Sequence, residues 1–539
     1  MPDLACFVGR IATVGDTMKL TDFLAKHGFD GDPFATFNAE EESLLSRYFV
    51  RPPYFASVLG NPDQPKSSIV FAPRGGGKTA QRRVLEEDSQ AADSAYLCVL
   101  YDQFPPVATK ADFARLTVDD HLERVCVRVL MAILMEIEAS AEAADKLDKL
   151  DREFVAAECS RLENISRDEL EAVIRSLKSQ ARQAGDWLRD HSGPVKIVVS
   201  SLLKKRGIDL DPTIPWGSQF TSAGTPSQPR TVLARLVKLA QTLGFQSVYV
   251  MVDKLDETQL TTTDPNLTAD LIAPLLVDLP AMEMPGIAYK VFIWDFSKPR
   301  YTERGGRPDR IPEHQLRWTA ALLKEMMKRR LLAFSSGRVS SLNDLAESSL
   351  DIDLDELAAH LAYGSPRDMI RLCARVVSEH LNAVSPSGEI SERDVWSACR
   401  EFSIGICQER GAKFLPDLQR LQSYRFTQSK VSNDYLKIKK QSVQAKVTEW
   451  RRTSMIDKVT EVQDARSRPQ HLYGVVDPRL AITIKPGDSV EDILSFYVLF
   501  CPSCSAMNIS DEPQVTCIGC HQDFLPQHAD GLMTVCGRL

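Results

Sequence analysis

Two stretches of the chain combine residue types and spacings suited to chemistry. Ala72-Pro73-Arg74-Gly75-Gly76-Gly77-Lys78-Thr79 follows the phosphate-cradle pattern GxxxxGK[ST], with Ala72 where the first glycine is expected. Glycines let successive backbone N–H groups turn toward phosphate oxygens. Lys78 would then reach the β and γ phosphates and Thr79 would ligate Mg²⁺, with Arg74, Gly75, Gly76, Gly77 and Ala80 completing the binding set. Further on, SVYVMVDKLDE ends an apolar run at Asp253, with Asp256 and Glu257 just after it. An acid at a strand end is what such a loop needs to hold Mg²⁺. Asp256 or Glu257 could orient the attacking water, and Glu257 is the base we assign. The second stretch is Cys501-Pro-Ser-Cys504, twelve residues, then Cys517-Ile-Gly-Cys520, the spacing of two knuckles that converge four thiolates on one Zn²⁺. His521, His528 and Cys536 are spare donors, while Cys6, Cys98, Cys126, Cys159, Cys373, Cys399 and Cys407 read as small buried apolar residues.

Weaker groups surround these. Asp295 and Ser297, at the end of a later apolar run, could sense a γ-phosphate. SKPRYTERGGRPDR carries Arg300, Arg304, Arg307 and Arg310 with no evident partner in their own chain, so one of them could act on a neighbouring subunit. Gly364-Ser365-Pro366-Arg367-Asp368 opens a helix and holds Arg367 where it could reach over phosphates. Between Arg425 and Arg468, eleven Lys and Arg face five Asp and Glu, a local excess of six, with Tyr435 and Trp450 among them. That mixture suits a phosphate backbone with aromatic stacking, and it equally suits a solvated helix face.

The elements that must position these residues follow from periodicity. Ser67–Ala72 is a short β-branched run, the glycines follow, and TAQRRVLEEDSQ carries helix formers without a breaker, giving strand, loop and helix. Ala95–Tyr101, Ser247–Val252 and Tyr289–Trp294 are further apolar runs, and Arg230–Leu243 has a helix pattern. Strands alternating with helices predict a parallel sheet covered on both faces, hence an α/β core. A helical insertion is expected at about 110–205, an exposed loop at Pro212–Gln228, and a lead-in helix at Ala39–Val50 packing beside the core. Residues from Glu313 to Asn382 are again helical.

At 539 residues, with 43% hydrophobic and 26% charged residues, the chain is multidomain and globular. Its net charge of −8 excludes non-specific nucleic-acid binding by the whole surface, so such a role would be local. No stretch is long and apolar enough to span a membrane, and the opening residues lack a secretory pattern, so a cytoplasmic location without membrane contact is expected.

Taken together, PRGGGKT, VDKLDE, Trp294-Asp295 and LLKEMMKRRLLAFSS followed by AYGSPRDMIRLC resemble the prokaryotic AAA+ and STAND-like P-loop ATPases near the origin-recognition type, over about Asn38 to Ser403. The resemblance implies ATP as ligand, a helical lid in which Arg367 is the sensor-2 arginine, and a following winged helix with strands around Leu472 to Ile484. Membrane-associated KAP relatives carry apolar spans between the two nucleotide motifs, where this chain is polar and amphipathic. The implied division is an N-terminal helical lead-in (1–65), a P-loop ATPase core (66–310), a helical lid (311–403), a winged-helix or basic region (404–495) and a zinc ribbon (496–539). The expected protein is a Mg²⁺-dependent, self-associating ATP hydrolase whose nucleotide state moves its lid. It would act on nucleic acid as a motor or loader, or alternatively signal through a protein partner, as in antiviral defence.

Overall fold

A computed structural model describes residues 18–89, 94–139, 141–159, 228–383, 388–463 and 468–537; the expected helices over 160–205 and the loop over 212–227 lie outside the described residues. The chain divides into two compact units, Arg51–Arg317 and a second unit made of Met1–Val50 with Trp318–Leu539. Among the described residues, no helix is long and apolar enough to cross a membrane.

The first unit is an α/β fold. Its strands are β1 (Ser68–Ala72), β2 (Tyr96–Tyr101), β3 (Ser247–Val252), β4 (Ile287–Trp294) and β5 (Glu313–Gln315). They pair in parallel in the order β2-β3-β4-β1-β5, with Ala72 opposite Trp294 and Tyr101 opposite Val252. β1, β2 and β3 are buried along their whole length, because helices cover both faces of a parallel sheet. The helices Val118–Ala139 and Pro229–Leu243 supply much of the core beside β2 and β3, through residues such as Val125, Val129, Leu233 and Leu236. Each expected strand therefore forms, and the carboxyl ends of β1, β3 and β4 share one edge of the sheet, where open parallel sheets bind ligands.

The second unit begins with helices that announce themselves by their caps. Thr319, Asp353, Ser365 and Ser391 each accept a backbone N–H from the first turn of Ala320–Phe334, Leu354–Ala362, Pro366–Leu381 and Glu392–Gly411. Pro366 occupies the first turn, where its missing N–H has no helical partner to lose. After the helix Leu415–Leu421 come β6 (Arg425–Thr427), the helical turns Gln428–Lys430 and Val431–Tyr435, the helix Lys440–Arg452, and the hairpin β7 (Ile456–Gln463) and β8 (Pro469–Val475). These three strands form an antiparallel sheet in the order β6-β8-β7.

Four expectations change. Glu313–Gln315, expected to open a helical stretch, instead pairs in parallel with the edge of β1 as β5. The lead-in helix expected at Ala39–Val50 is confined to Leu45–Tyr48, because the Asn38 and Glu42 side chains take the N–H groups of Glu40 and Leu44 into turns. It also belongs to the second unit rather than to the α/β unit: buried Arg330 pairs with Glu42 at 2.6 Å and donates to the carbonyls of Pro33 and Thr36 at 2.5 and 2.8 Å. The strand expected across Leu472–Ile484 stops at Val475. Asp477 caps Arg479 N–H and Pro478 starts a fully buried helix, Pro478–Ile484. Trp450 cannot stack on bases, since it is fully buried against Phe426, with ring centroids 5.8 Å apart.

The buried helix Pro478–Ile484 is fixed by charge. Arg479 is fully buried, bonds both Asp477 oxygens at 2.8 and 2.6 Å, and reaches Asp368 at 2.7 Å, an oxygen that Arg410 also holds at 2.9 Å. Arg479→Ala should therefore destabilise this unit by about 3–5 kcal/mol in denaturant unfolding, because two carboxylates would stay buried with less compensation. A loss under 1 kcal/mol would show that the cluster is not structural.

Candidate functional site

The segment between β1 and the helix Lys78–Ser89 is shaped by its glycines. Gly75 and Gly77 have φ of 72° and 91°, a region L side chains rarely adopt, and a Cβ on Gly76 would stand 2.9 Å from the Pro73 carbonyl oxygen. Lys78 and Thr79 thus begin a helix directly above the end of β1.

The sheet brings the acids of β3 to this segment. The Thr79 hydroxyl donates to Asp253 Oδ2 at 3.0 Å, and Asp253 is 1% exposed. Lys78 Nζ lies 3.4 Å from Asp256 Oδ1, while Arg74 donates through Nε to Asp256 Oδ2 at 2.9 Å and through Nη2 to the Asp256 carbonyl at 2.8 Å. The Arg74 guanidinium also lies 4.2 Å from the Trp294 ring centroid. Burial raises the Asp256 carboxyl, but Lys78 and Arg74 outweigh it and hold the group below its usual range. Glu257, exposed at its surface, is pushed up by partial burial and then by Asp253. Asp295, at the end of β4, is likewise raised by burial, with Lys78 opposing. The four acids therefore fall into two kinds: Asp253 and Asp256 are tied to side-chain donors, whereas burial raises the carboxyls of Glu257 and Asp295.

One residue the sequence reading missed completes this cluster. Arg82, 1% exposed, donates through Nε to Asp253 Oδ2 at 3.0 Å and through Nη1 to Glu86 Oε1 at 2.5 Å. Its signal lay in helical spacing, three residues after Thr79 and four before Glu86.

Arg300, Arg304, Arg307 and Arg310 do not lack partners. Arg300 and Arg304 both bond Asp270, at 2.9 and 2.7 Å, Arg307 bonds Asp309 at 2.7 Å, and Arg310 bonds Glu283 at 2.6 Å. The premise that they wait for a neighbouring subunit falls, since acids distant in sequence were folded against three of them. Arg367 stands exposed at the second residue of Pro366–Leu381, in the other unit.

The four cysteines form the second cluster. Cys501 N–H bonds the Ala506 carbonyl at 3.0 Å and Cys517 N–H bonds that of Gln522 at 2.9 Å. Ser505 and His521, with φ of 58° and 59°, return their N–H groups to the Cys501 and Cys517 carbonyls at 2.8 and 3.0 Å. The two CxxC turns are thus near copies of one another. The sulfur atoms of Cys501, Cys504, Cys517 and Cys520 lie within 4.8 Å of one another, with Cys501–Cys520 at 3.8 Å and Cys504–Cys517 at 3.6 Å. A tetrahedron of Zn–S bonds near 2.3 Å has edges of about 3.8 Å, so the four thiols fit a zinc ion and could hold one. Burial opposes ionisation of Cys517, but the N–H groups of Cys520 and Gly519 and the Asn508 amide favour its thiolate and bring it down to about 6. His521 instead closes a turn, and Cys536 is buried, its carbonyl accepting Asp353 N–H at 2.6 Å. Around the cluster, β9 (Val498–Phe500) pairs with β10 (Met507–Ile509) and β13 (Asp530–Gly531), and β11 (Val515–Thr516) pairs with β12 (Asp523–Phe524). Buried Arg425 of β6 donates to the carbonyls of Thr516 and Ile509 at 2.7 and 3.3 Å, joining this module to the β6-β8-β7 sheet.

No protein-family model and no curated protein matches the chain, so its chemistry rests on these arrangements.

Metal analysis of the purified protein should give about one zinc per chain, lost in Cys504→Ser and Cys517→Ser. Gly519→Val should lower retention as well, since a Cβ there would lie 2.8 Å from Ala506 Cβ and 3.4 Å from Cys504 Sγ. A folded, metal-free preparation would remove the metal from the account.

Proposed function

We propose that the protein is a Mg²⁺-dependent ATP hydrolase whose nucleotide state drives a conformational switch. The observation that carries this reading is the meeting, at the carboxyl edge of the parallel sheet, of a glycine turn, Lys78 and Thr79 with Asp253 and Asp256. In this reading the backbone N–H groups of Gly75 and Gly77 cradle the phosphates, the Gly76 N–H holding the turn through the Pro73 carbonyl at 3.1 Å, and Lys78 and Arg74 exchange Asp256 for phosphate oxygens. Thr79 and Asp253 would hold Mg²⁺, which shields charge on the leaving phosphates when bound. Glu257, raised by its surroundings, takes the proton of the attacking water. Asp295 would read the terminal phosphate.

The C-terminal half supports a second reading for the target. Helix, strand, two helical segments and a hairpin, with the sheet order β6-β8-β7, support reading this region as a winged helix, which would present Lys440–Arg452 to nucleic acid. Lys446, Arg451 and Lys458 are neutralised by Asp417, Asp457 and Glu461, whereas Lys437, Lys439, Lys440 and Arg452 are exposed. Replacing Lys437, Lys439 and Lys440 by Ala should lower the log–log salt slope of duplex DNA binding by about one per lysine that contacts a phosphate. Salt-independent or absent binding would turn the search toward a protein partner.

For the ATPase, Lys78→Ala should abolish phosphate release from ATP while the fold survives, and Glu257→Gln should keep binding but lose turnover. Because the Glu257 carboxyl is raised and only its ionised form accepts a proton, turnover should fall as pH drops through that raised value, above the point where an ordinary Glu protonates near 4.3. Normal turnover in Lys78→Ala would overturn the reading. Loss in Asp256→Asn with normal turnover in Glu257→Gln would move the base to Asp256.

A further inference from the structure

Thr79, Arg82 and Glu86 lie on one face of the helix Lys78–Ser89, and that face meets the end of β3. Thr79 and Arg82 both donate to a single oxygen of Asp253, Oδ2, each at 3.0 Å. Glu86 grips Arg82 from the other side at 2.5 Å, and Arg82 and Glu86 are 1% and 2% exposed. A guanidinium never loses its proton in a protein, so this one is a permanent buried cation held by two carboxylates.

The geometry points to Arg82 as a positioning residue for metal binding: its fork and the Thr79 hydroxyl fix the Asp253 carboxylate by Oδ2, so that Oδ1 is the oxygen offered to the divalent cation of a bound nucleotide. An aspartate otherwise turns freely about its last bond, and two donors on one oxygen remove that freedom. Glu86 acts one step further out by aiming the fork. This inference rests on the nucleotide reading above and adds to it a residue outside the loop pattern.

Charge alone argues the other way, which makes the sign of the effect informative. A fixed positive group beside Asp253 repels Mg²⁺, so deleting it would tighten metal binding if charge were its whole contribution. Positioning predicts the opposite. Without Arg82, Asp253 and Glu86 would lose the guanidinium they share, and with only Thr79 left on Oδ2 the metal ligand could rotate.

The test uses the full-length protein and a fluorescent N-methylanthraniloyl-ATP probe, titrated with Mg²⁺ and compared with binding in EDTA. Arg82→Gln should raise the Mg²⁺ concentration for half-maximal binding by about 10–100-fold, the usual effect of removing a group that orients a metal ligand, while binding in EDTA stays unchanged. Arg82→Lys, which keeps the charge but not the fork, should recover part of the loss. Should Arg82→Gln fail to fold, Glu86→Gln serves in its place, with a smaller shift in the same direction. Unchanged or tighter Mg²⁺ dependence in these variants, or equal losses with and without Mg²⁺, would overturn the inference and leave Arg82 as a charge or packing element. Probe binding by the wild-type chain that shows no Mg²⁺ dependence would instead overturn the nucleotide-hydrolase reading itself.

Discussion

A carboxylate taken out of water at the end of β3 needs cations and donors around it, and Asp253 sets that requirement for the whole α/β unit. Thr79 and Arg82 can satisfy it only if the helix that carries them starts where β1 ends, and that start needs a turn of glycines. The parallel pairing of β1 with β4, and of β4 with β3, then determines how far the acid lies from the loop. Each piece of the edge is thereby constrained by an ion pair rather than by apolar packing, which dominates in the strands themselves.

The same device recurs. Arg82, Arg330 and Arg479 are among the largest fully buried side chains, and each is held by carboxylates, carbonyls or a hydroxyl. Arg425 does likewise between β6 and the cysteine module. A buried guanidinium has directional donors that few arrangements can satisfy, so each one constrains how the segments around it meet. The exposed pairs of Arg307 with Asp309 and Arg310 with Glu283 look similar on paper yet contribute little, because water screens them.

Local signals carried much of this architecture. The four longer strands of the sheet, the helix after the glycines and both CxxC turns are written in contiguous apolar runs, breakers and caps, and they formed as those signals require. What contiguous residues cannot carry is pairing across the chain. Asp270 lies some thirty residues from the arginines it binds, so Arg300 and Arg304 looked free until the fold brought it there. Trp450 read as a surface aromatic among charges because its neighbours in sequence are polar, while its neighbours in space are Phe426 and the inner face of a sheet. Arg82 was legible in principle from its spacing to Thr79 and Glu86, but the acid that gives it meaning, Asp253, is 171 positions away.

The second unit is discontinuous: Arg330 binds the Pro33 carbonyl across 297 positions, and the entire α/β unit is spliced between them. During synthesis, the N-terminal segment therefore emerges long before the helix that will receive it. The intervening unit has its whole sequence available first, and folding it early would replace a long flexible loop with a compact insert before the ends must meet. Until Ala320–Phe334 leaves the ribosome, Glu42 lacks the guanidinium it pairs with in the folded unit. The order of elements along the chain thus makes the early segment wait for its partner helix, and translation speed through the α/β unit sets how long that wait lasts.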